Sequence, residues 1–354
     1  MLKIEPVRVR HAAIVGAGIG GLSCARALVR AGWRVTMFDK SRGVGGRCTT
    51  RRVEGEAGPL SFDHGAQYFT VRDPSFAEDV ARWREAGQVQ VWRPRLWALD
   101  GAGGPRASAG QALEDQTERL VAVPGMSALG KLLLADIEAA AEPGQFELHR
   151  RARVLQVHRE KFDWLLEIEG GGVHEGFSKV VLNTPSGQAA PLFGVTNPKL
   201  RARAEACEME ACWALMIEPL APLELEFDAA FVNNSPLAWI ADNSTKPGRP
   251  PTPCWVLQAS GAWSWEHFER DREFVARELM AVFEALVGRS VPHRVASTQR
   301  WRYAKPEPLP EPYLYSSLGI GACGDWCGGP RVEGAYLSGL VLAQSLIEAD
   351  LSKE

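Results

Sequence analysis

His11-Ala12-Ala13-Ile14-Val15-Gly16-Ala17-Gly18-Ile19-Gly20-Gly21 is the stretch that decides the fold of this chain. His11 to Val15 reads as a short buried strand that runs directly into a glycine-rich turn. The residues after the turn are helical in pattern. Leu22, Ala25, Leu28 and Val29 share one face between about Gly20 and Ala31, and Gly32 ends the run. Arg34 to Phe38 is a second strand, and it ends at Asp39. Strand, turn, helix and strand form a βαβ half-unit. Each glycine of Gly16-x-Gly18-x-x-Gly21 has a task. Gly16 permits the tight turn, Gly18 lets backbone approach a pyrophosphate, and Gly21 lets the helix lie close to the sheet. The helix N-terminus offers free N–H groups and a positive dipole end to phosphate. Asp39 follows Gly18 by 21 residues, close to the roughly 20 at which an acid binds a ribose. The bland alternative is a glycine-rich turn with an incidental aspartate. The strand before it, the helix after it and the placed acid together favour dinucleotide binding.

Three further motifs extend this reading. Lys40-Ser41-Arg42-Gly43-Val44-Gly45-Gly46-Arg47 comes straight after Asp39. Its glycines allow a second close backbone approach, and its cations can neutralise phosphate. On composition alone it is a surface loop. In this position a GG-R element is common among FAD enzymes and foreign to simple NAD dehydrogenases. Phe62-Asp63-His64-Gly65-Ala66-Gln67-Tyr68-Phe69 places small residues where backbone would reach a flavin ring edge, although His64 alone is more often structural. Near the far end, Gly321-Ala322-Cys323-Gly324-Asp325 precedes Gly328 to Glu333 and a long helix. Asp325, at a strand end, would accept from ribityl hydroxyls. A helix opening near Val332 would turn its positive end to the ring edge where charge builds on reduction. The cofactor expected is FAD, and its gripping residues come from both ends of the chain.

Bulk properties narrow the class. At 354 residues the chain exceeds one ordinary core, so two structural regions are expected. Hydrophobic content of 45% and charged content of 23% are those of a globular protein. The net charge of −3 with interspersed signs gives no basic face, so nucleic acid is not the expected partner. The apolar run Ala12–Val15 is too short for a secretory core, and no stretch reaches the roughly 20 residues of a membrane span. A cytoplasmic protein without a membrane partner is the expectation. Seven cysteines, an odd number in a large chain, read as reduced thiols. Cys323 and Cys327 have no neighbouring Cys/His pair, and no metal is expected.

The regions are read as follows. Residues 76–115 are polar with scattered tryptophans, and the GAGGPRASAG run at 101–110 looks like a flexible loop. Met126, Leu129, Leu133 and Ile137 mark a helix. Val154–Val157 and Trp164–Ile168 suggest a hairpin, and Val180–Leu182 a buried strand leading into Asn183-Thr184-Pro185. Strands at Trp213–Ile217, Leu237–Ala241 and Cys254–Gln258 lie between proline-rich loops, with Asn243–Pro253 irregular. Val275, Leu279, Val282 and Leu286 form one face of an amphipathic helix. The expected fold is α/β: a Rossmann-type FAD-binding domain (1–75, 119–187, 296–354) beside an α+β substrate domain on a mainly antiparallel sheet (76–118, 188–295).

Taken together, FDKSRGVGGRCTTRR (38–52), FDHGAQYFTVRDPSF (62–76), WVLQASGAWSWEH (255–267), QRWRYAKP (299–306) and GACGDWCGGPRVEGAYLSGL (321–340) resemble the flavin amine oxidase superfamily, and within it the renalase-like group. The resemblance implies a p-hydroxybenzoate-hydroxylase-like fold. It maps FAD contacts onto Gly16, Gly18, Gly21, Asp39, Lys40, Arg42, Gly46, Arg47, His64, Gly65, Ala66, Gln67, Val154, Thr184, Gly324, Asp325, Arg331, Val332 and Ala335, with Val154 on the adenine side. It implies oxidation of reduced nicotinamide dinucleotides whose hydride sits at ring carbon 2 or 6, with O2 as acceptor and hydrogen peroxide as product. The extended N-terminus and the GAGGPRASAG loop leave the substrate open.

Hydride transfer depends on orienting the donor carbon over the flavin, and the chemistry is the cofactor's own. A dihydropyridine needs no strong base, so aromatic walls and a few polar groups are expected. Trp301 and Tyr303 are the wall candidates. Gln67, Gln258 and Arg300 would orient a carboxamide or phosphate. Alternatives are an amine oxidase, for which Lys305 before Pro306 is a poor lysine, a desaturase or mutase with a long apolar tunnel, and a non-catalytic FAD-binding protein.

Overall fold

The computed structural model describes residues 10–101, 110–114 and 116–351. Most of the GAGGPRASAG segment, residues 102–109, lies outside them. The chain forms two compact units: residues 1–46, 129–208 and 306–354, and residues 47–128 and 209–305.

The first unit is built on a six-stranded sheet. Its order is Leu314–Ser316, Ile320–Ala322, Lys179–Leu182, His11–Val15, Arg34–Asp39 and Phe146–Arg150. All neighbours are parallel except the antiparallel outer strand Leu314–Ser316. The central strands are buried along their length, as a parallel sheet covered on both faces requires. A three-stranded antiparallel meander, Val154–Glu160, Asp163–Ile168 and Gly172–Phe177, packs Trp164, Leu166 and Phe177 into a core with Phe38 and Val180. The fingerprint helix Ile19–Arg30 buries Leu22, Ala25, Leu28 and Val29 as the periodicity predicts. The closing helix spans Val332–Leu351.

Register explains why distant motifs meet. Ala322, Leu182, Val15, Phe38 and His149 occupy one row across the sheet. The next residues, Cys323, Asn183, Gly16 and Asp39, therefore leave the same carboxyl edge. Open α/β sheets bind ligands at that edge.

The second unit carries a seven-stranded sheet in the order His293–Pro306, Met209–Pro219, Trp255–Ala259, Leu237–Asp242, Ala229–Asn233, Leu96–Asp100 and Gln111–Ala112. Met209–Pro219 to Ala229–Asn233 pair antiparallel, and Ala229–Asn233 runs parallel to Leu96–Asp100. The helix Arg272–Val287 starts at Asp271, whose side chain accepts from Phe274 N, and stops at Gly288 at φ 70°. It buries Val275, Leu279 and Phe283 against Ala230, Ile240 and Leu257. Each such fully buried side chain contributes about 1.5–3 kcal/mol. The opposite face presents a cross-strand row of Phe231, Trp239, Gln258 and Ala214.

Mixed α/β architecture, with a Rossmann-type unit and a largely antiparallel one, is the expected fold class. The polar stretch 76–115 holds more order than its composition suggested. Pro74–Glu85 is a helix because Asp73 caps it through Ser75 N and Phe76, Val80 and Trp83 share its buried side. No helix among the described residues is long and apolar enough to cross a membrane. All seven cysteines are free thiols.

Candidate functional site

In the first unit the turn after the first strand is held from several sides. Gly16 has φ 104°, open to glycine, and its N–H donates to Phe38 O at 2.8 Å. The Asp39 carboxylate bridges two segments: Oδ2 accepts from Ala17 N and Oδ1 from Ser41 N, both at 2.7 Å. Gly45 N donates to Ala17 O at 2.8 Å, and Gly45 bridges Gly18. The second glycine motif thus lies directly on the first.

Gly18 caps the fingerprint helix without any side-chain hydrogen bond, and no acid sits in the first turn. The first amides of this helix have no intrahelical acceptor, so the cradle suits an anion. Asn183 lines it from the neighbouring strand. A side-chain carbon on Gly18 would lie 2.8 Å from Asn183 Oδ1, a further reason for glycine there. Asn183 Nδ2 donates to Cys323 O at 3.0 Å, tying the third strand to the C-terminal motif.

That motif continues the carboxyl edge. Gly324 N donates to Ser338 Oγ at 3.0 Å, and Trp326 Nε1 donates to Thr184 O at 3.0 Å. Thr184 Oγ1 is buried with no hydrogen-bond partner among the described residues. Asp325 is buried, and Ala335 N donates to Arg331 O at 3.0 Å in the opening turn of the closing helix. Val154 is buried in the core that contains Phe38. Lys40 reaches Gln188 Oε1 at 3.2 Å on the surface, and Arg42 is exposed.

The other candidates belong to the second unit. His64 stacks on Trp301 with ring centroids 5.4 Å apart and planes 20° from parallel. Trp301 Nε1 donates to His64 O at 3.0 Å, and Gln258 Nε2 donates to Gly65 O at 2.9 Å. Ala66 N donates to Arg47 O at 3.0 Å. Arg47 Nη1 donates to the carbonyls of Tyr303 and Ala304 at 3.3 and 3.1 Å. Residues 64–66 and 301–304 are thereby knitted through backbone. Burial, assisted by the Arg51 charge, holds the His64 ring at about 4, although Asp63 pulls the other way. At neutral pH it is uncharged. Its Nδ1 is buried without a hydrogen-bond partner among the described residues.

Beneath this segment lies a buried ionic cluster. Asp63 Oδ1 accepts from Thr50 Oγ1 at 2.6 Å and Met126 N at 2.9 Å. Its Oδ2 accepts from Arg249 Nη2 at 2.6 Å and Lys246 Nζ at 3.3 Å. Lys246 Nζ also donates to Gln67 Oε1 and Asn243 Oδ1, both at 3.1 Å. The Gln67 amide is engaged at both ends, since its Nε2 donates to Asp63 O. The three charged side chains are fully buried. Burial would raise the Asp63 carboxyl, but Lys246, Arg249 and the Thr50 hydrogen bond together hold it below its ordinary value. Burial draws Lys246 down to about 8, with Asp63 opposing and Arg249 adding to the fall.

Comparison with known proteins fits this geometry. A model of NAD(P)-binding Rossmann-like domains matches residues 14–83. An L-amino-acid oxidase of Bungarus fasciatus is 51% identical over 47 residues, which is 13% of this chain and 9% of that protein. A flavin-containing monooxygenase of Arabidopsis thaliana is 40% identical over 76 residues, 20% of this chain and 16% of that protein. These stretches span well under two thirds of either relative. Among solved structures, a candidate protoporphyrinogen oxidase from Exiguobacterium sp. 255-15 superposes with a TM-score of 0.72 at 12% identity, covering 96% of this chain and 99% of that one.

The chain shares its fold with that structure.

Within this fold, sequence reasoning missed four residues. In the sequence Asn183 stands only at a strand's end, and Asp63 only inside a motif. Lys246 and Arg249 sit in the Asn243–Pro253 loop, whose prolines advertise irregularity and hide a turn, Asn243–Thr245, that points polar groups inward. The signal was a Lys-Pro-Gly-Arg run in an otherwise neutral stretch, paired with a lone aspartate at a buried strand end.

Proposed function

We propose that this chain is an FAD-dependent oxidase of the renalase-like kind. Its substrates are dihydronicotinamide dinucleotides carrying the hydride at ring carbon 2 or 6. The balanced reaction is dihydro-NAD(P), O2 and a proton giving NAD(P)+ and hydrogen peroxide.

FAD suits the first unit's carboxyl edge. The unshared amides at Ile19 and after would take the pyrophosphate. Asp39 would take the ribose, keeping lone pairs beyond its two backbone bonds. Val154 would flank the adenine. Thr184, whose hydroxyl lacks a partner among the described residues, would meet the ribityl end with Gly324, Asp325, Arg331, Val332 and Ala335. When bound, FAD supplies the hydride acceptor.

His64, Gly65, Ala66, Trp301 and Tyr303, all in the second unit, are assigned to recognition of the reacting molecules, and Gln67, whose amide is committed to Asp63 and Lys246, holds their segment in place. The observation that carries the reading is the stacked pair His64 and Trp301, with ring centroids 5.4 Å apart, an aromatic wall of the kind a dihydropyridine ring needs for orientation. The His64 ring beside Trp301 is neutral and weakly basic at about 4. Such a group can hydrogen-bond a carboxamide but is a poor acceptor of a substrate proton. A dihydropyridine donor needs no proton removed.

The test is anaerobic mixing of the purified flavoprotein with borohydride-generated dihydro-NAD(P) isomers, ordinary NAD(P)H and a panel of amines. Rapid flavin bleaching by the isomers alone is expected. Bleaching by amines alone, or only by ordinary NAD(P)H, overturns the proposal.

A further inference from the structure

We infer that Lys246 is a positioning residue. It holds the Asp63–Gln67 segment from below and so fixes the His64 ring and the peptide groups of Gly65 and Ala66. This rests on the reading that residues 64–66 meet the reacting molecules.

Lys246 Nζ reaches Asp63 Oδ2, Gln67 Oε1 and Asn243 Oδ1 at 3.1–3.3 Å. An ammonium has three N–H donors, so each has an acceptor. Asp63 and Gln67 bracket the His64–Ala66 peptide, and both are fastened to one nitrogen. Asn243 Oδ1 in turn accepts from Asp63 N at 2.9 Å, which closes the loop. The indole of Trp92 lies 5.1 Å from Nζ and adds a cation–π contact. No water shell competes, because the side chain is fully buried.

The charges around it are few. Asp63 faces Nζ from its strand end, and Arg249 approaches the same carboxylate. Cys254 is a further ionisable neighbour among the described residues, with Asp242 acting on it from beyond, and burial pushes its thiol up to about 12, so it stays neutral. One carboxylate therefore faces two cations. Protein interiors tolerate such an excess poorly, and burial brings the Lys246 ammonium to about 8. A neutral amine has only two N–H donors. Deprotonation removes one of the three ties and weakens the attraction to Asp63.

The experiment uses the flavin-loaded protein with Lys246→Met and Lys246→Arg. Two readouts are taken. The His64 ring is titrated by NMR, which needs no substrate. Flavin reduction by the dihydronicotinamide isomers is followed from pH 6 to 10. In the wild type, reduction is expected to slow as pH rises through about 8. Lys246→Met is expected to shift the His64 titration and to slow reduction by about tenfold or more at all pH values, as small misplacements do. Lys246→Arg keeps the cation but does not titrate, and the decline near pH 8 is expected to vanish. A folded Lys246→Met protein with unchanged His64 titration and reduction overturns the inference. If Lys246→Met fails to fold, a persisting decline near pH 8 in Lys246→Arg overturns it instead. If no isomer reduces the flavin, the functional reading fails, and the His64 titration alone decides the positioning role.

Discussion

Gly339 in the closing helix faces the carbonyl oxygen of Gly20 in the fingerprint helix, with no room between them for a side-chain carbon. On helix propensity alone, Gly339→Ala gains about 1 kcal/mol. Here the added methyl would meet backbone, which cannot rotate away. The substitution is expected to destabilise by about 1–3 kcal/mol and to weaken FAD retention. Urea unfolding of the wild type and variant checks this. An unchanged or raised midpoint would contradict the packing argument.

Asp39 is the latch between the two glycine motifs, because one carboxylate binds the amides of both Ala17 and Ser41. Hydrogen bonds to a charged group contribute about 1.5–3 kcal/mol each. Asp39→Ala is therefore expected to weaken FAD binding by about 10- to 100-fold. Titration of apoprotein with FAD, followed by flavin fluorescence, measures the change. Equal affinities would show that the carboxylate does not shape the cradle.

Removing one partner of the buried ionic cluster should cost more than dissolving it. Asp63→Asn leaves Lys246 and Arg249 without an anion, a defect of about 3–5 kcal/mol. The double variant Asp63→Asn, Lys246→Met removes one of the stranded cations and should recover part of that loss. Chemical denaturation of the two variants beside the wild type tests the coupling. Strict additivity would refute it.

Stability should fall in mild acid. The folded His64 ring holds its proton only near pH 4, against an ordinary 6.5. The unfolded chain takes up that proton first. Stability from this group is thus complete above pH 6.5 and is lost as pH falls toward 4, by about 3 kcal/mol for the full interval. His11 in the other unit, also held at about 4 by burial and Arg34, acts with the same sign. In His64→Gln the acid slope should flatten but persist. Denaturation midpoints at pH 7 and 4.5 give the comparison.

The fold class was largely legible in the sequence, for a physical reason. Strand, glycine turn, helix and acid occupy consecutive positions, so Gly16, Gly18 and Asp39 could be assigned from local spacing. The C-terminal Gly324-Asp325 motif was legible because a parallel sheet returns every strand to the same edge. Asn183 was not legible. Its role comes from register with Val15 and Leu182, which no local pattern encodes. The Asp63–Lys246–Arg249 cluster joins residues far apart in sequence, and a lysine among prolines looks solvated until the loop is seen folded inward. Gln67 was read as reaching for a ligand, whereas the folded chain commits both ends of its amide to Asp63 and Lys246.

The six-stranded sheet also joins segments that leave the ribosome far apart in time. Its strands are drawn from residues 11–39, 146–182 and 314–322, and the helix beside Gly20 follows them at Val332–Leu351. During synthesis the first βαβ half-unit must wait, with apolar surface uncovered, while the intervening chain is made. The sheet edge around the fingerprint is therefore completed only once residues 314–322 have been made. A nascent chain halted before residue 320 would hold the fingerprint without the partners that make it bind.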